Sequence, residues 1–170
     1  MPTTPSDWLH CRTDTPLGPM TLARTLAGLC GAWFDDQRDA PPAHTWRAGN
    51  TRADDPLLRA AREQLQAYFA GRLQHFELPL DLGTGTAFQQ AVWQGLLTLR
   101  HGQLGGYGQL AQQIGRPSAS RAVGGAVGRN PVSIIVPCHR VIGHQGQLTG
   151  YAGGLWRKQA LLRLEGHSQF

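Results

Sequence analysis

Val132-Ser133-Ile134-Ile135-Val136-Pro137-Cys138-His139-Arg140 is the stretch on which the reading of this chain turns. A β-branched run ending in proline reads as a buried strand forced to stop, because proline has no N–H for the ladder and a fixed φ. The Cys138 thiol then sits at a rigid chain reversal, with a histidine and an arginine beside it. A free thiol has a pKa of about 8.5 and attacks only as thiolate, so a working nucleophile needs a base or a cation nearby. His139 and Arg140 offer one of each. Free cysteine is also among the most buried residue types, which leaves a purely structural Cys138 as the competing reading. Downstream, Gly143-His144-Gln145-Gly146 and Thr149-Gly150-Tyr151-Ala152-Gly153-Gly154 promise two flexible loops. A cysteine between such loops borders a cleft more often than a core.

The chain has 170 residues and is 41% hydrophobic, enough to bury a core in one domain or two small ones. Its opening, Met1-Pro2-Thr3-Thr4-Pro5-Ser6-Asp7, lacks a charged region followed by an apolar stretch, and no segment is apolar enough to span a bilayer. Three scattered cysteines, Cys11, Cys30 and Cys138, make no disulfide framework and fit a reducing compartment, so a soluble cytoplasmic protein is expected. Residues 1–84 carry eight arginines against ten acids, a net of −2; residues 85–170 carry eight basic side chains against Glu165 alone, a net of +7. One-sided positive charge is the footprint of a surface that meets phosphates, although small basic domains also arise for solubility. One acid in the basic half argues against metal-dependent phosphodiester chemistry, which needs several converging carboxylates.

Within the first half, residues 8–12, 20–24 and 29–34 read as strands of a small antiparallel sheet. A polar, proline-bearing loop follows over 35–51. Leu57, Leu58, Ala61, Leu65, Tyr68 and Phe69 have helical spacing over 56–70, with Asp54 or Asp55 as cap and Pro56 at the first position. Cys11 and Cys30 read as core thiols on adjacent strands rather than metal ligands. Residues 82–86 link the halves, giving expected domains at 1–84 and 85–170. Thr86 caps a helix bearing Phe88, Val92, Trp93, Leu96 and Leu97. Two short helices, 107–114 and 118–127, meet at Gly115-Arg116-Pro117 and have the outline of a helix-turn-helix. In the second, the pair Gly124-Gly125 costs about 1 kcal/mol per residue relative to alanine, which calls for close approach, either to a neighbouring helix or to a nucleic-acid backbone. The small face Ala119, Ala122, Gly125 and Ala126 suits a narrow groove, with Arg121 as its one long side chain.

From Phe88 to Gly166 the chain resembles the O6-alkylguanine-DNA alkyltransferases, through Arg121-Ala122-Val123-Gly124, Asn130-Pro131, Pro137-Cys138-His139-Arg140-Val141 and Gly150-Tyr151-Ala152-Gly153-Gly154. Looser matches, Thr15-Pro16-Leu17-Gly18-Pro19 and Tyr68-Phe69-Ala70-Gly71, stand in the expected order in the first half. The resemblance implies an α+β two-domain fold: a small α/β, ribonuclease-H-like first domain, then a mainly helical winged-helix or helix-turn-helix domain. It implies a single-turnover transferase that takes an alkyl group from O6 of guanine, and O4 of thymine, in double-stranded DNA after the base is flipped out. Cys138 would accept the group, with His139, through a water, as base, Glu165 orienting the imidazole and Asn130 holding the loop. Arg121 would fill the vacated stack and Tyr107 turn the target phosphate, within a DNA contact set that includes Ser120, Ala122, Gly124 and Arg129. Tyr151, Ala152, Val141 and Gly153 would surround the base. No cofactor, metal or membrane is implied, and the protein would act as a monomer able to cluster on DNA. Where many relatives have serine after the pocket tyrosine, this chain has Ala152, and Gly105-Gly106 is unusually glycine-rich before Tyr107.

Three rivals make different demands. A sensor of alkylated bases would keep the DNA-binding parts without the cysteine. A thiol hydrolase would use the Cys-His pair without a basic helix hairpin. A helix-turn-helix regulator would leave Cys138 structural.

Overall fold

Short apolar-rich runs bounded by turns make the opening segments strands, and the chain pairs them in sequence order. In the computed structural model, which describes residues 4–170, β1 (Leu9–Thr13), β2 (Met20–Arg24) and β3 (Leu29–Phe34) form one antiparallel sheet with β2 in the middle. Met1–Thr3, the start of the segment read above as lacking a leader, lie outside the described residues. Because β2 stands between them, Cys11 and Cys30 are not on adjacent strands as expected; both are buried, on opposite faces of the sheet. All six residues of β3 are buried. A Cβ at Gly31 would fall 1.9 Å from the Trp33 ring, so only glycine lets that indole lie against its own strand.

Helix α1 (Pro56–Phe69) starts where the sequence signals it: the Asp55 carboxylate accepts from the N–H groups of Leu57 and Leu58, and Pro56 needs no donor in the first turn. Its buried stripe Leu58, Ala61, Leu65 and Tyr68 packs on the sheet. Helix α2 (Ala87–Leu96) is capped by Thr86 in a reciprocal box with Gln89. Helices α3 (Tyr107–Gln113) and α4 (Ser120–Gly128) form the hairpin, preceded by the two-residue strand β4 (Gly105–Gly106), which pairs in parallel with β5 (Val141–Ile142). Helix α5 (Leu155–Leu164) closes the chain. One core unites both halves, running from Met20, Leu22 and Tyr68 through Trp93 and Val123 to Leu161. No helix among the described residues is long and apolar enough to cross a membrane.

The run 132–136 is not the strand that its β-branched residues predict. Only Val132, Ser133 and Val136 make bridges, and Ile134 reverses the chain with φ 73°, a conformation that is uncommon for a β-branched residue. Two local interactions override propensity. The segment hangs on β3, whose Ala32 donates to Pro131 O and accepts from Ser133 N at 2.9 Å each. Val136 N then donates back to Val132 O at 2.9 Å, closing a tight loop that delivers Pro137 and Cys138 to the inter-domain seam.

Helix α4 also departs from the sequence reading. Gly125 and Ala122 are exposed, but Ala126 is buried beneath Trp93, whose indole N–H donates to Ala126 O at 2.9 Å. Helical spacing places Ala126 on the inner face, one turn from Val123. Of the glycine pair, Gly124 faces Tyr107 of α3, while a Cβ at Gly125 would meet open space.

Candidate active site

Cys138 begins a 3-10 turn, Cys138–Arg140, directly after the loop, and all three residues are buried. Asn130 builds the loop around it. The Asn130 amide donates to Val136 O (2.8 Å) and to the Cys138 sulfur (3.1 Å), while its carbonyl accepts from Val132 N (3.0 Å). One side chain thus satisfies both ends of the reversal and the thiol. Asn130→Ala would leave these buried groups without partners at about 1–3 kcal/mol each. The expected outcome is a loss of at least about 2 kcal/mol in urea unfolding and slower alkylation of the thiol; an unchanged unfolding midpoint would contradict the role.

The thiol and its neighbours are strongly perturbed. Burial pushes the Cys138 pKa up, opposed by the Asn130 hydrogen bond and by the Lys158 charge. Burial likewise lowers His139, while Glu165 pulls it back up. His139 Nε2 lies 2.8 Å from Glu165 Oε1. A neutral imidazole facing a carboxylate carries its proton on that nitrogen, which makes Nδ1 the acceptor. Nδ1 is buried and has no hydrogen-bond partner among the described residues. Burial alone would raise Glu165, but hydrogen bonds and charge from His139 and Arg140 outweigh it and hold the carboxyl well below its usual range. Arg140 is bidentate on that carboxylate, Nε to Oε2 at 2.8 Å and Nη2 to Oε1 at 2.9 Å, and its Nη1 donates to Leu99 O at 2.6 Å. Gly102 N donates to Oε2 at 3.0 Å. Gly102 needs its φ of 76° to aim that N–H, and a Cβ there would come within 3.2 Å of Glu165 O.

These shifts make the fold acid-sensitive. His139 and buried His10 have lowered folded values, so below the unfolded value of about 6.5 the unfolded chain binds protons that the folded chain refuses, and stability falls with pH. The Glu165 contribution is complete above its unfolded value of about 4.3 and is lost as pH falls toward its depressed folded value. A urea midpoint that drops from pH 7 to pH 5 and further to pH 4 is expected; a midpoint that rises on acidification would contradict the assignment.

Cys138, His139, Glu165 and Asn130, the set that the resemblance names, therefore lie together in one site. Tyr151 and Ala152 line a cavity of about 10 Å³ beside Cys138 and Asn130, with Gln37 of the first half on its far wall. Arg38 N donates to Ala152 O (3.1 Å), and Ser133 Oγ donates to Gln37 (3.0 Å), which fastens that wall. The buried Tyr151 hydroxyl lies toward Ser133 yet closes no hydrogen bond of good geometry. Val141 and Gly153 do not line this cavity: their carbonyls accept from Lys158 and from Arg157. Tyr107, Ser120, Arg121 and Gly124 line a separate open groove of about 890 Å³ between α3, α4 and the loop after β5. Ala122 and Arg129 are exposed outside it.

Several groups at the site escaped the sequence reading. Lys158, the only lysine in the chain, is fully buried, and its pKa is lowered to about 8 by burial against the pull of Cys138. It donates to Val141 O and, at 2.9 Å, to Thr149 O. Thr149 in turn shares a 2.7 Å hydrogen bond with the Tyr107 hydroxyl. Being the only lysine was its one sequence signal. Arg157 ties the 150–154 loop to the first half: it donates to Gly153 O and Leu17 O, pairs with Asp36 at 2.7 Å and stacks on Phe34.

Two family profiles match in chain order: the ribonuclease-like domain of 6-O-methylguanine DNA methyltransferase over residues 10–82 and its DNA binding domain over residues 87–167. The chain belongs to the 6-O-methylguanine DNA methyltransferase family. A methylated-DNA–protein-cysteine methyltransferase of Mycobacterium leprae is 50% identical over 160 residues, covering 94% of this chain and 93% of its own. One from Shigella flexneri is 58% identical over 165 residues, covering 94% and 96%. Among methyltransferase structures of this family, that of Mycobacterium tuberculosis OGT in complex with DNA superposes with a TM-score of 0.80 at 48% identity, covering 92% of this chain and 91% of that one. The two-domain methyltransferase fold is shared: an antiparallel-sheet domain followed by a helical DNA-binding domain, with five α-helices in all among the described residues.

Proposed function

We propose that this protein repairs DNA by transferring a methyl or other small alkyl group from O6 of guanine, and from O4 of thymine, to Cys138. The observation that carries this reading is a buried thiol held by Asn130, next to a histidine whose free nitrogen is an acceptor and whose other nitrogen is fixed by Glu165. The Cys138 proton passes, through a water, to His139 Nδ1, and Glu165 stabilises the imidazolium that results. The thiolate attacks the alkyl carbon, the S–C bond forms as the C–O6 bond breaks, and the electron pair returns to the purine, which takes up one proton. Tyr151, kept protonated by burial, is the donor facing that pocket. The product is a thioether, which water cannot open, so each molecule acts once.

Chain order supports a division of labour with the boundary at residues 84 and 85. The α3–α4 hairpin supplies the basic groove for duplex DNA, where Arg121 fills the vacated stack, Tyr107 turns the phosphate and Ser120, Ala122, Gly124 and Arg129 follow the backbone. Since the cavity at Cys138 is far smaller than a purine, an everted base enters only by parting Ala152 from the 35–38 segment. The backbone at Val141, Ala152 and Gly153 then frames the base. The reading needs no cofactor and places the protein in the cytoplasm as a monomer that clusters on DNA.

The test is the mass of the intact protein and of its peptides after mixing with duplex DNA containing O6-methylguanine. One added methyl per molecule, on the peptide bearing Cys138, is the expected result. Binding to the lesion without modification would make the protein a damage sensor instead.

A further inference from the structure

We infer that Tyr68, on the last turn of α1 in the first domain, is a positioning residue for the thiol-activating relay, its hydroxyl fixing the carboxylate oxygen of Glu165 that holds the His139 proton. The inference rests on the alkyl-transfer reading above. The Tyr68 hydroxyl donates to Glu165 Oε1 at 2.7 Å across 97 residues of sequence, and the side chain is buried. That oxygen also accepts from His139 Nε2 at 2.8 Å and Arg140 Nη2 at 2.9 Å, while Oε2 takes Arg140 Nε and Gly102 N. A carboxylate has about four lone-pair sites, and here five donors converge on it. Its position is therefore over-determined, and its charge is shared among all of them.

The tyrosine is itself locked. Its ring meets Phe69 (5.5 Å), Phe76 (5.4 Å) and His101 (6.2 Å). Burial and the facing carboxylate push its pKa up, so the hydroxyl stays a donor at every working pH. The charged or titratable groups acting on His139 are Glu165, Arg140 and Lys158, and on Tyr68 they are Glu165, Arg140 and Tyr151, with His101 at the ring edge. Among them, Tyr68 is the first domain's hydrogen bond to the carboxylate.

Removing the hydroxyl has a signed consequence. With one donor fewer on Oε1, more of the carboxylate charge falls on His139, which holds its proton more tightly. The neutral, proton-accepting imidazole then exists only at higher pH. A tyrosine that served packing alone would leave that balance untouched.

The experiment compares single-turnover transfer from duplex DNA containing O6-methylguanine, at saturating protein and from pH 5 to pH 9, in the native protein, Tyr68→Phe and Phe76→Leu. Tyr68→Phe keeps the ring and loses only the hydroxyl; Phe76→Leu loosens the same cluster without touching the relay. The expected result is an acid limb displaced to higher pH in Tyr68→Phe, with a rate at pH 7 lower by about threefold to tenfold. Phe76→Leu should unfold at lower temperature with its acid limb in place. An unmoved acid limb in Tyr68→Phe, or the same displacement in both variants, would overturn the positioning role. No methyl on native Cys138 at any pH would instead overturn the alkyl-transfer reading itself.

Discussion

Cys138→Ser is expected to abolish alkyl transfer while leaving binding to O6-methylguanine DNA intact. A serine hydroxyl fits where the thiol sits and can keep the Asn130 hydrogen bond, now 3.1 Å to sulfur, so the loop and its 3-10 turn should persist. What disappears is an acidic, intrinsically nucleophilic group: a thiol gives up its proton near pH 8.5, whereas an alcohol stays protonated throughout the range in which the protein is folded. With no acyl carbon to attack and no second nucleophile at hand, His139 cannot rescue an alkoxide. Peptide mass after incubation with the lesion duplex should show no methyl on residue 138, and competition binding should show unchanged preference for the lesion. Residual methylation of the serine variant at Cys11 or Cys30 would move the acceptor elsewhere and undo the assignment.

The second large effect belongs to Glu165→Gln. The native carboxylate answers the Arg140 fork, His139 Nε2, the Tyr68 hydroxyl and Gly102 N. An amide of the same shape turns an NH₂ toward donors and removes the charge that the fork faces. Leaving a buried arginine without its partner costs about 3–5 kcal/mol, which in a chain of this size lowers the unfolding temperature by at least about 6 °C. The chemistry suffers separately. With a neutral amide in place of the carboxylate, the imidazolium that forms on proton transfer loses its counter-charge, and His139 becomes a weaker and less firmly placed base. Misplacing a general base typically costs a factor of about 100 to 10,000 in rate. Single-turnover rates measured well below the unfolding transition should fall by at least about 100-fold; a rate within threefold of native would show that Glu165 is structural.

Local signals were legible and distant ones were not. Asp55-Pro56 and Thr86 with Gln89 announced their helices because a cap is an interaction between near neighbours. Cys138 and His139 could be found because they adjoin, whereas the role of Glu165 came only with the family resemblance, composition marking it solely as the one acid of a basic half. The 132–136 run misled because its shape is set by Asn130 and by the edge of β3, neither of which a β-branched composition encodes. Ala126 misled for a similar reason: a small residue reads the same whether it faces a groove or lies under Trp93. Tyr68 fits the apolar stripe of α1, so its ring was legible and its hydroxyl was not. Lys158 carried the opposite difficulty, since a charge in sequence says nothing about the two carbonyls that bury it.

The small cavity over Cys138 has a consequence beyond admitting the base. A protein that is consumed by one reaction is vulnerable to every other electrophile and oxidant in its surroundings, because each stray encounter destroys a molecule as surely as a repair event does. Cys138 is 7% exposed, and the space beside it, about 10 Å³, holds little more than one water. Burial also pushes the thiol pKa up, which disfavours the thiolate that an electrophile would meet. A thiol so enclosed offers little surface to small alkylating agents and peroxides in solution.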